Sequence, residues 1–216
     1  LRILRFFRFH AWYGGNGLDA DGLAACAAGA DGLDTLSRER VGGEIRKLLA
    51  APDPAPAVAA MSQTGILARI LPGAASHGLA QLISLELEAG PDWLRRLAVI
   101  GGEDAADRLR LSRQEARDLA VLRDAVSGMD TPAVLGWRLG AARGWDAVAI
   151  RSVLTGASLP PNCAAELSRG AFAKMPVRAE DLMPDLQGAA LGARLKAVED
   201  DWIESDLRKS RDELLG

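Results

Sequence analysis

The sequence has 216 residues, 26 Lys and Arg against 29 Asp and Glu, a formal net charge of -3 and 49% apolar residues. That is enough chain for one large or two small domains with a real core. It provides no global positive field to gather nucleic acid, so any such binding must use local basic patches or shape. No apolar run approaches the roughly 18 residues of a membrane span, so no membrane partner is expected.

Alanine, leucine, arginine and acidic residues dominate, while valine, isoleucine, threonine and aromatics are scarce. That balance favours helix over strand, because unbranched side chains lose little rotamer freedom in a helix. Cys26 and Cys163 match neither a metal-ligand spacing nor a disulfide framework. They are expected as small buried side chains in a reducing, cytoplasmic setting.

The chain begins "LRILRFFRFHAWYG". At about 100° per residue, Ile3, Phe6 and Phe7 fall on one side of a helix and Arg2, Arg5 and Arg8 spiral over another. "GLDADGLAACAAGADGL" reads as a short helix ending near Gly29. "LSRERVGGEIRKLLA" reads as a longer one, with Ser37 as N-cap and Glu39 in the first turn, where a carboxylate complements the helix dipole. "APDPAP" stops that helix, and Asp53-Pro54 starts the next. "ILPGAASHG" is a breaker, and "GPDWLRRLAVIGG" is a helix between glycines.

"LSRQEARDLAVLRDAVSG" carries a capping box, Ser112 with Glu115, ahead of an apolar face of Leu119, Leu122 and Val126. Thr131 caps and Pro132 opens the next helix, with a tight turn expected at Gly144. "SLPPNC" is a loop, and an irregular lead-in then precedes one long final helix. No strand alternation exceeds four residues and no 20–50-residue period repeats. The expected fold is all-α, a multi-helix array joined by Gly/Pro turns without a significant sheet. The proline clusters suggest three layers, 1–51, 52–159 and 160–216.

Catalytic chemistry is sparse. His10 and His77 read as surface or helix-end residues. No phosphate loop, H-E-x-x-H, G-x-S-x-G or C-x-x-C occurs, and the acidic clusters "GGEDAADR" and "VEDDWIESD" read as solvated faces. No carboxylate pair is marked as a metal site, and no catalytic residue is assigned. From these features alone the chain reads as a helical binding module or a protein-interaction scaffold.

The ordered set "LRILRFFRF", "LSRERVGGEIRKLL", "GILARILPG" and the tail "VRAEDLMPDLQGAALGARLKAVEDDWIESDLRKSRDELL" resembles the class II tRNA nucleotidyltransferases, the CCA-adding enzymes and bacterial poly(A) polymerases. In that family a catalytic head passes into a helical neck through an E-D-x-x-R motif. Arg2 falls on the motif's arginine, and the acidic pair would lie just before Leu1. "LSRERVGGEIRKLL", with Glu39, Arg40 and Glu44, resembles the neck motif E-R-x-x-x-E. The resemblance is strongest over 1–72, fair over 176–216 and weak between. It implies a neck (1–51), a body (52–159) and a tail (160–216) of an enzyme that adds CMP and AMP from CTP and ATP to the tRNA 3′ end. Poly(A) addition or partial CCA addition stays open. Mg²⁺ would belong to the absent head, none is expected in this chain, and the chain alone is expected to be inactive.

The resemblance also implies site residues. Arg2 would read the base edge of the incoming nucleotide, for which a planar fork of donors is suited. Arg5, ranked first, and Arg8 would approach the triphosphate or else the neck's own acids. Arg40 and Glu44, four apart on one helix face, would form either a plain surface pair or a support that orients Arg2 or Arg5. Gly42 and Gly43 imply close approach by another helix, with the first helix as the nearest candidate. In the tail, Gly188 and Gly192, with Arg194 and Lys196 close by, would receive RNA phosphates at a bare helix N-terminus, or else form a tight turn packing two helices. Arg95/Arg96 and Arg108/Arg110/Arg113 would follow an RNA backbone or be solvated.

Overall fold

A computed structural model describes residues 1–14, 17–86, 89–183 and 185–216. Every named element among them is helical, and the only β pairing is an isolated bridge between Ala74 and Gly101. The fold is all-α. Two compact units divide the chain: Leu1–Val126 with Ala149–Ser158, and Ser127–Val148 with Leu159–Gly216.

The first unit holds α1 (Arg2–Tyr13), α2 (Ala20–Ala28), a 3-10 turn (Ala30–Leu33), α3 (Arg38–Leu49), α4 (Ala55–Gln63) and α5 (Ile66–Ile70). It continues through α6 (Leu79–Leu85), α7 (Trp93–Ile100), α8 (Ala105–Arg108) and α9 (Arg113–Ser127). Local chemistry sets several starts. The Ser37 hydroxyl accepts from the Arg40 N–H at 3.4 Å, and Asp53 accepts from the Ala55 N–H at 3.0 Å, one residue later than a proline-first start places the helix. Ser112 and Glu115 exchange both capping bonds, at 2.8 and 3.2 Å.

α1 packs on α3 and α4. Leu4 and Phe7 are its buried residues, with Ile3 and Phe6 only half-buried beside them. Phe6 and Ile3 instead lie against Gly22 and Gly29 at the two ends of the α2 region. The core continues through Ile45, Leu48 and Leu49 of α3, Val58 and Met61 of α4 and Leu97 of α7. Each such side chain contributes about 1.5–3 kcal/mol of burial.

Arg95 and Arg96 are neither solvated nor free to follow RNA. Both lie buried with Glu86, whose oxygens accept from Arg95 Nε at 2.8 Å and Arg96 Nε at 2.9 Å. Arg96 also donates to the carbonyls of Leu49 (2.6 Å) and Ala51 (2.5 Å). The last carbonyls of a helix have no partner within it, and Arg96 supplies one to the end of α3. In the arginine cluster near residue 110, Arg110 pairs with Glu39 at 3.1 Å and with Asp107.

The glycine pair in α3 divides its labour. A Cβ on Gly42 would stand 1.9 Å from the Leu109 carbonyl oxygen, whereas one on Gly43 would meet nothing within 4 Å. The close approach therefore comes from the residue that ends α8, not from α1.

The second unit contains the first part of α10 (Pro132–Thr155), α11 (Cys163–Phe172), α12 (Ala179–Leu182), α13 (Gly188–Glu204) and α14 (Arg211–Leu215). Thr131 caps α10 through the Val134 N–H at 3.3 Å. The turn inside α10 falls at Gly140 (φ 77°), not at Gly144. Gly144 is helical, and a Cβ there would meet Leu167, Gly136 and Leu135. It permits close packing rather than a bend. Ala133, Val134, Val177, Val198, Trp202, Leu207 and Leu214 form the core, with Trp137 set edge-on to Trp202 at 5.4 Å. The expected single final helix is two. Asp206 and Leu207, both at positive φ, end α13, and a Ser210–Glu213 capping box starts α14.

Cys26 and Cys163 are buried free thiols, and burial raises the pKa of each. His10 sits in the last turn of α1 and His77 is exposed.

Candidate functional site

α1 and α3 are joined by Glu44. Its carboxylate is only 8% exposed and faces two guanidinium groups, Arg8 Nε at 2.7 Å and Arg5 Nε at 3.7 Å. Further along both helices the Trp12 indole N–H donates to the Lys47 carbonyl at 2.9 Å. α3 is held from its other side by Arg46, which pairs with Glu115 at 2.9 Å and lies 4.6 Å over the Trp93 ring. Burial pushes the Glu115 carboxyl up, but hydrogen bonds from the Ser112 backbone and hydroxyl and the Arg46 charge outweigh it and hold the pKa below its ordinary value.

Beside this junction lies an open depression of about 540 Å³, lined by Leu1, Arg5, Glu39, Arg40, Gly43, Glu44 and Lys47. Among the described residues, the side chains of Arg2, Arg40 and Lys47 have no ion-pair partner, and all three are exposed. Arg5 keeps 54% of its side chain exposed despite its long contact with Glu44. Arg2 is not enclosed by its own bundle. It is exposed on α1 and does not line the depression. Glu39 is held ionised by hydrogen bonding to the backbone at the start of α3, assisted by Ser37 and Arg110. Cations thus outnumber carboxylates on this surface, and Arg40 and Lys47 have no carboxylate partner while Arg5 has only its long contact with Glu44. An anionic ligand with several acceptors is what such a surface can hold.

Arg40 and Glu44 do not pair. The i, i+4 spacing allows it, but Glu44 is taken by the two arginines of α1. Arg8, ranked below Arg5 for the triphosphate, meets the neck's own acid as its alternative reading has it: it makes the shortest contact with Glu44 and clamps α1 to α3. Lys47 and Trp12 carried no sequence signal, because their meeting depends on how two helices cross. No group of three or more His, Cys, Asp or Glu side chains among the described residues is placed to hold a metal. The carboxylates at the depression do not fit Mg²⁺ either, since Glu44 is bound by Arg5 and Arg8 and Glu39 by Arg110.

In the second unit, Gly188 opens α13 at φ 57°, and Gln187 gives no side-chain cap. A Cβ on either Gly188 or Gly192 would meet nothing within 4 Å, so no helix packs tightly there. Gly188, Gly192 and Lys196 are spaced by four and share a face. Lys196 lies 3.4 Å from Asp200, with both side chains exposed. Arg194 lies on another face and donates to the Leu214 carbonyl of α14 at 3.4 Å. The structure therefore groups three of these four residues and turns the fourth toward the fold. No described helix is long and apolar enough to cross a membrane.

Residues 18–77 match the protein family described as "Probable RNA and SrmB- binding site of polymerase A". That segment contains α2, α3, α4 and α5. The whole chain is similar in fold to solved CCA-adding enzymes. For a complex with ATP, the TM-score is 0.61 at 15% identity, over 99% of this chain and 58% of that one. For a complex with CTP, it is 0.58 at 14% identity, over 99% and 58%. For the Thermotoga maritima CCA-adding enzyme complexed with tRNA, it is 0.59 at 14% identity, over 99% and 59%. The chain thus spans under two thirds of the length of these structures. No curated protein sequence matches it significantly.

Proposed function

We propose that this chain, which carries the RNA-binding segment of the poly(A) polymerase family and the fold of CCA-adding enzymes, is the neck, body and tail of a class II tRNA nucleotidyltransferase. In the complete enzyme CMP and AMP pass from CTP and ATP to a tRNA 3′ end. The observation that carries the reading is the outward, unpartnered guanidinium of Arg2, with Arg5 and the open cationic depression beside it. Arg2 presents donors to the base edge of the incoming nucleotide, and Arg5 reaches its phosphates. Glu44 and Arg8 fix the helix that carries both, and rigid placement matters because an error near 1 Å costs about 10²-fold in rate. Arg40 and Lys47 add positive potential to the same surface.

The uncapped first turn of α13 at Gly188 offers free backbone N–H groups to RNA phosphates, while Gly192, whose N–H is used within the helix, leaves open surface beside it, with Lys196 on the same face and Arg194 nearby on α13. Such contacts hold A-form RNA by shape and backbone, which suits a protein with a net negative charge. Mg²⁺ belongs to residues outside this chain, and the chain by itself transfers no nucleotide. The family description favours a second reading within the same chemistry, polyadenylation in place of CCA addition.

Titration of the chain with tRNA at two salt concentrations tests the proposal. Sequence-independent binding that weakens as salt rises supports it, since each phosphate contact adds about 0.9 to the salt slope. No binding at low salt removes the RNA role and leaves a protein-interaction scaffold.

A further inference from the structure

The outward face of α1 is more than cationic. At about 100° per residue, Arg2, Arg5, Phe9, Trp12 and Tyr13 fall within one sector about 100° wide, opposite Leu4 and Phe7. All five are exposed: Phe9 is 50%, Trp12 42% and Tyr13 76% accessible. Scattered apolar residues on a surface need no explanation, but three aromatic rings gathered on two turns of one helix mark a contact surface. The rings are also arranged. Phe9 and Tyr13 lie 6.1 Å apart, tilted by 31°. The Arg8 guanidinium sits 4.4 Å over the Phe9 ring. Trp12 is pinned by its indole N–H to the Lys47 carbonyl, which fixes the plane of a half-open ring.

We infer that this face is a stacking platform for unpaired RNA bases, with Phe9, Trp12 and Tyr13 taking the bases while Arg2 and Arg5, toward the other end of the helix, stay with the nucleotide. The inference rests on the RNA-holding role proposed above and extends it to a single-stranded segment. Charge selects RNA over an apolar protein partner. α1 contains no acidic residue at all, and its exposed rings continue directly from two exposed arginines. Every base offers a π face, so rings on a rigid helix grip a single strand regardless of sequence while cations follow its backbone. Duplex RNA hides its base faces and gains nothing from such rings. Four-residue steps advance the helix by about 6 Å from Arg5 to Phe9 and again to Tyr13, so the rings lie one and two steps along from the arginine that faces the nucleotide.

The test uses the full chain and fluorescence anisotropy with three labelled RNAs: a short single-stranded oligoribonucleotide, the same length with abasic sugars, and a blunt duplex. The wild-type chain is expected to bind the intact strand roughly ten-fold more tightly than the abasic one, the scale of a single base-aromatic stack. Phe9→Ala with Tyr13→Ala is expected to erase that ratio and leave abasic and duplex affinities unchanged. Phe9→Tyr with Tyr13→Phe is expected to preserve it. Because these side chains are exposed, thermal melting of all variants should match wild type. Equal wild-type affinity for intact and abasic strands, or an unchanged ratio in the alanine variant, overturns the inference while duplex binding leaves the RNA-holding role standing. Failure of all three RNAs to bind at low salt overturns both.

Discussion

α1 and α7 pose the same puzzle in sequence and solve it in opposite ways. Each threads arginines through an apolar helix. In α7, Arg95 and Arg96 are drawn inward, share Glu86 and saturate carbonyls at the end of α3. In α1, Arg8 is spent on Glu44, Arg5 touches the same carboxylate only at 3.7 Å and stays half in solvent, and Arg2 stays outside. Carbonyl supply explains the difference. α7 runs past the end of α3, where orphan acceptors wait, whereas α1 runs alongside α3, where the one available carboxylate is Glu44. Arginine in an apolar helix is therefore structural when acceptors without partners lie within reach, and free for a ligand when they do not.

The largest expected effect falls on the buried cluster. Glu86→Ala strands two guanidinium groups in the core and should cost about 3–5 kcal/mol in urea unfolding. Gly42→Ala comes next. Its methyl group meets the Leu109 backbone, which cannot swing aside, and the overpacking should cost about 1–3 kcal/mol. Gly43→Ala, one residue on, has open space and should instead gain up to about 1 kcal/mol of helix propensity. Melting the two variants side by side separates a packing glycine from an incidental one.

Glu44→Gln should be milder than Glu86→Ala, at about 1–2 kcal/mol, because Arg5 and Arg8 both retain access to water. The smallest effect is on pH. The Glu115 carboxyl is held below its ordinary 4.5 in the folded state. Its contribution is therefore complete above that value and lost as pH falls through the lower folded one. Glu115→Gln should lose some stability at neutral pH and show a shallower acid decline than wild type in unfolding measured across that range.

What was legible in the sequence is what local chemistry decides. Ser37, Thr131 and the Ser112–Glu115 pair cap helices because a short side chain reaches N–H groups two or three residues away wherever the helix lies. Features set by a distant partner were not. Gly140 and Gly144 look equally fit to turn a chain, and only the packing against Leu167 and Gly136 shows that Gly144 is needed for contact. Arg40 and Glu44 have the spacing of a pair, but arginines from 36 and 39 positions upstream reach Glu44. Asp206 and Leu207 end α13 in left-handed conformations, which an aspartate tolerates but a leucine does not advertise. The same division applies to the surface: the arginine pattern of α1 could be read directly, whereas the pinning of Trp12 to Lys47 required the helix crossing.

The most direct test follows the arginine side-chain N–H signals by NMR while CTP and then ATP are titrated into the chain. The account predicts saturable shifts at Arg2 and Arg5, smaller ones at Arg8, and none at Arg95 and Arg96. Unmoved signals at Arg2 and Arg5 at nucleotide concentrations that perturb other residues would contradict it.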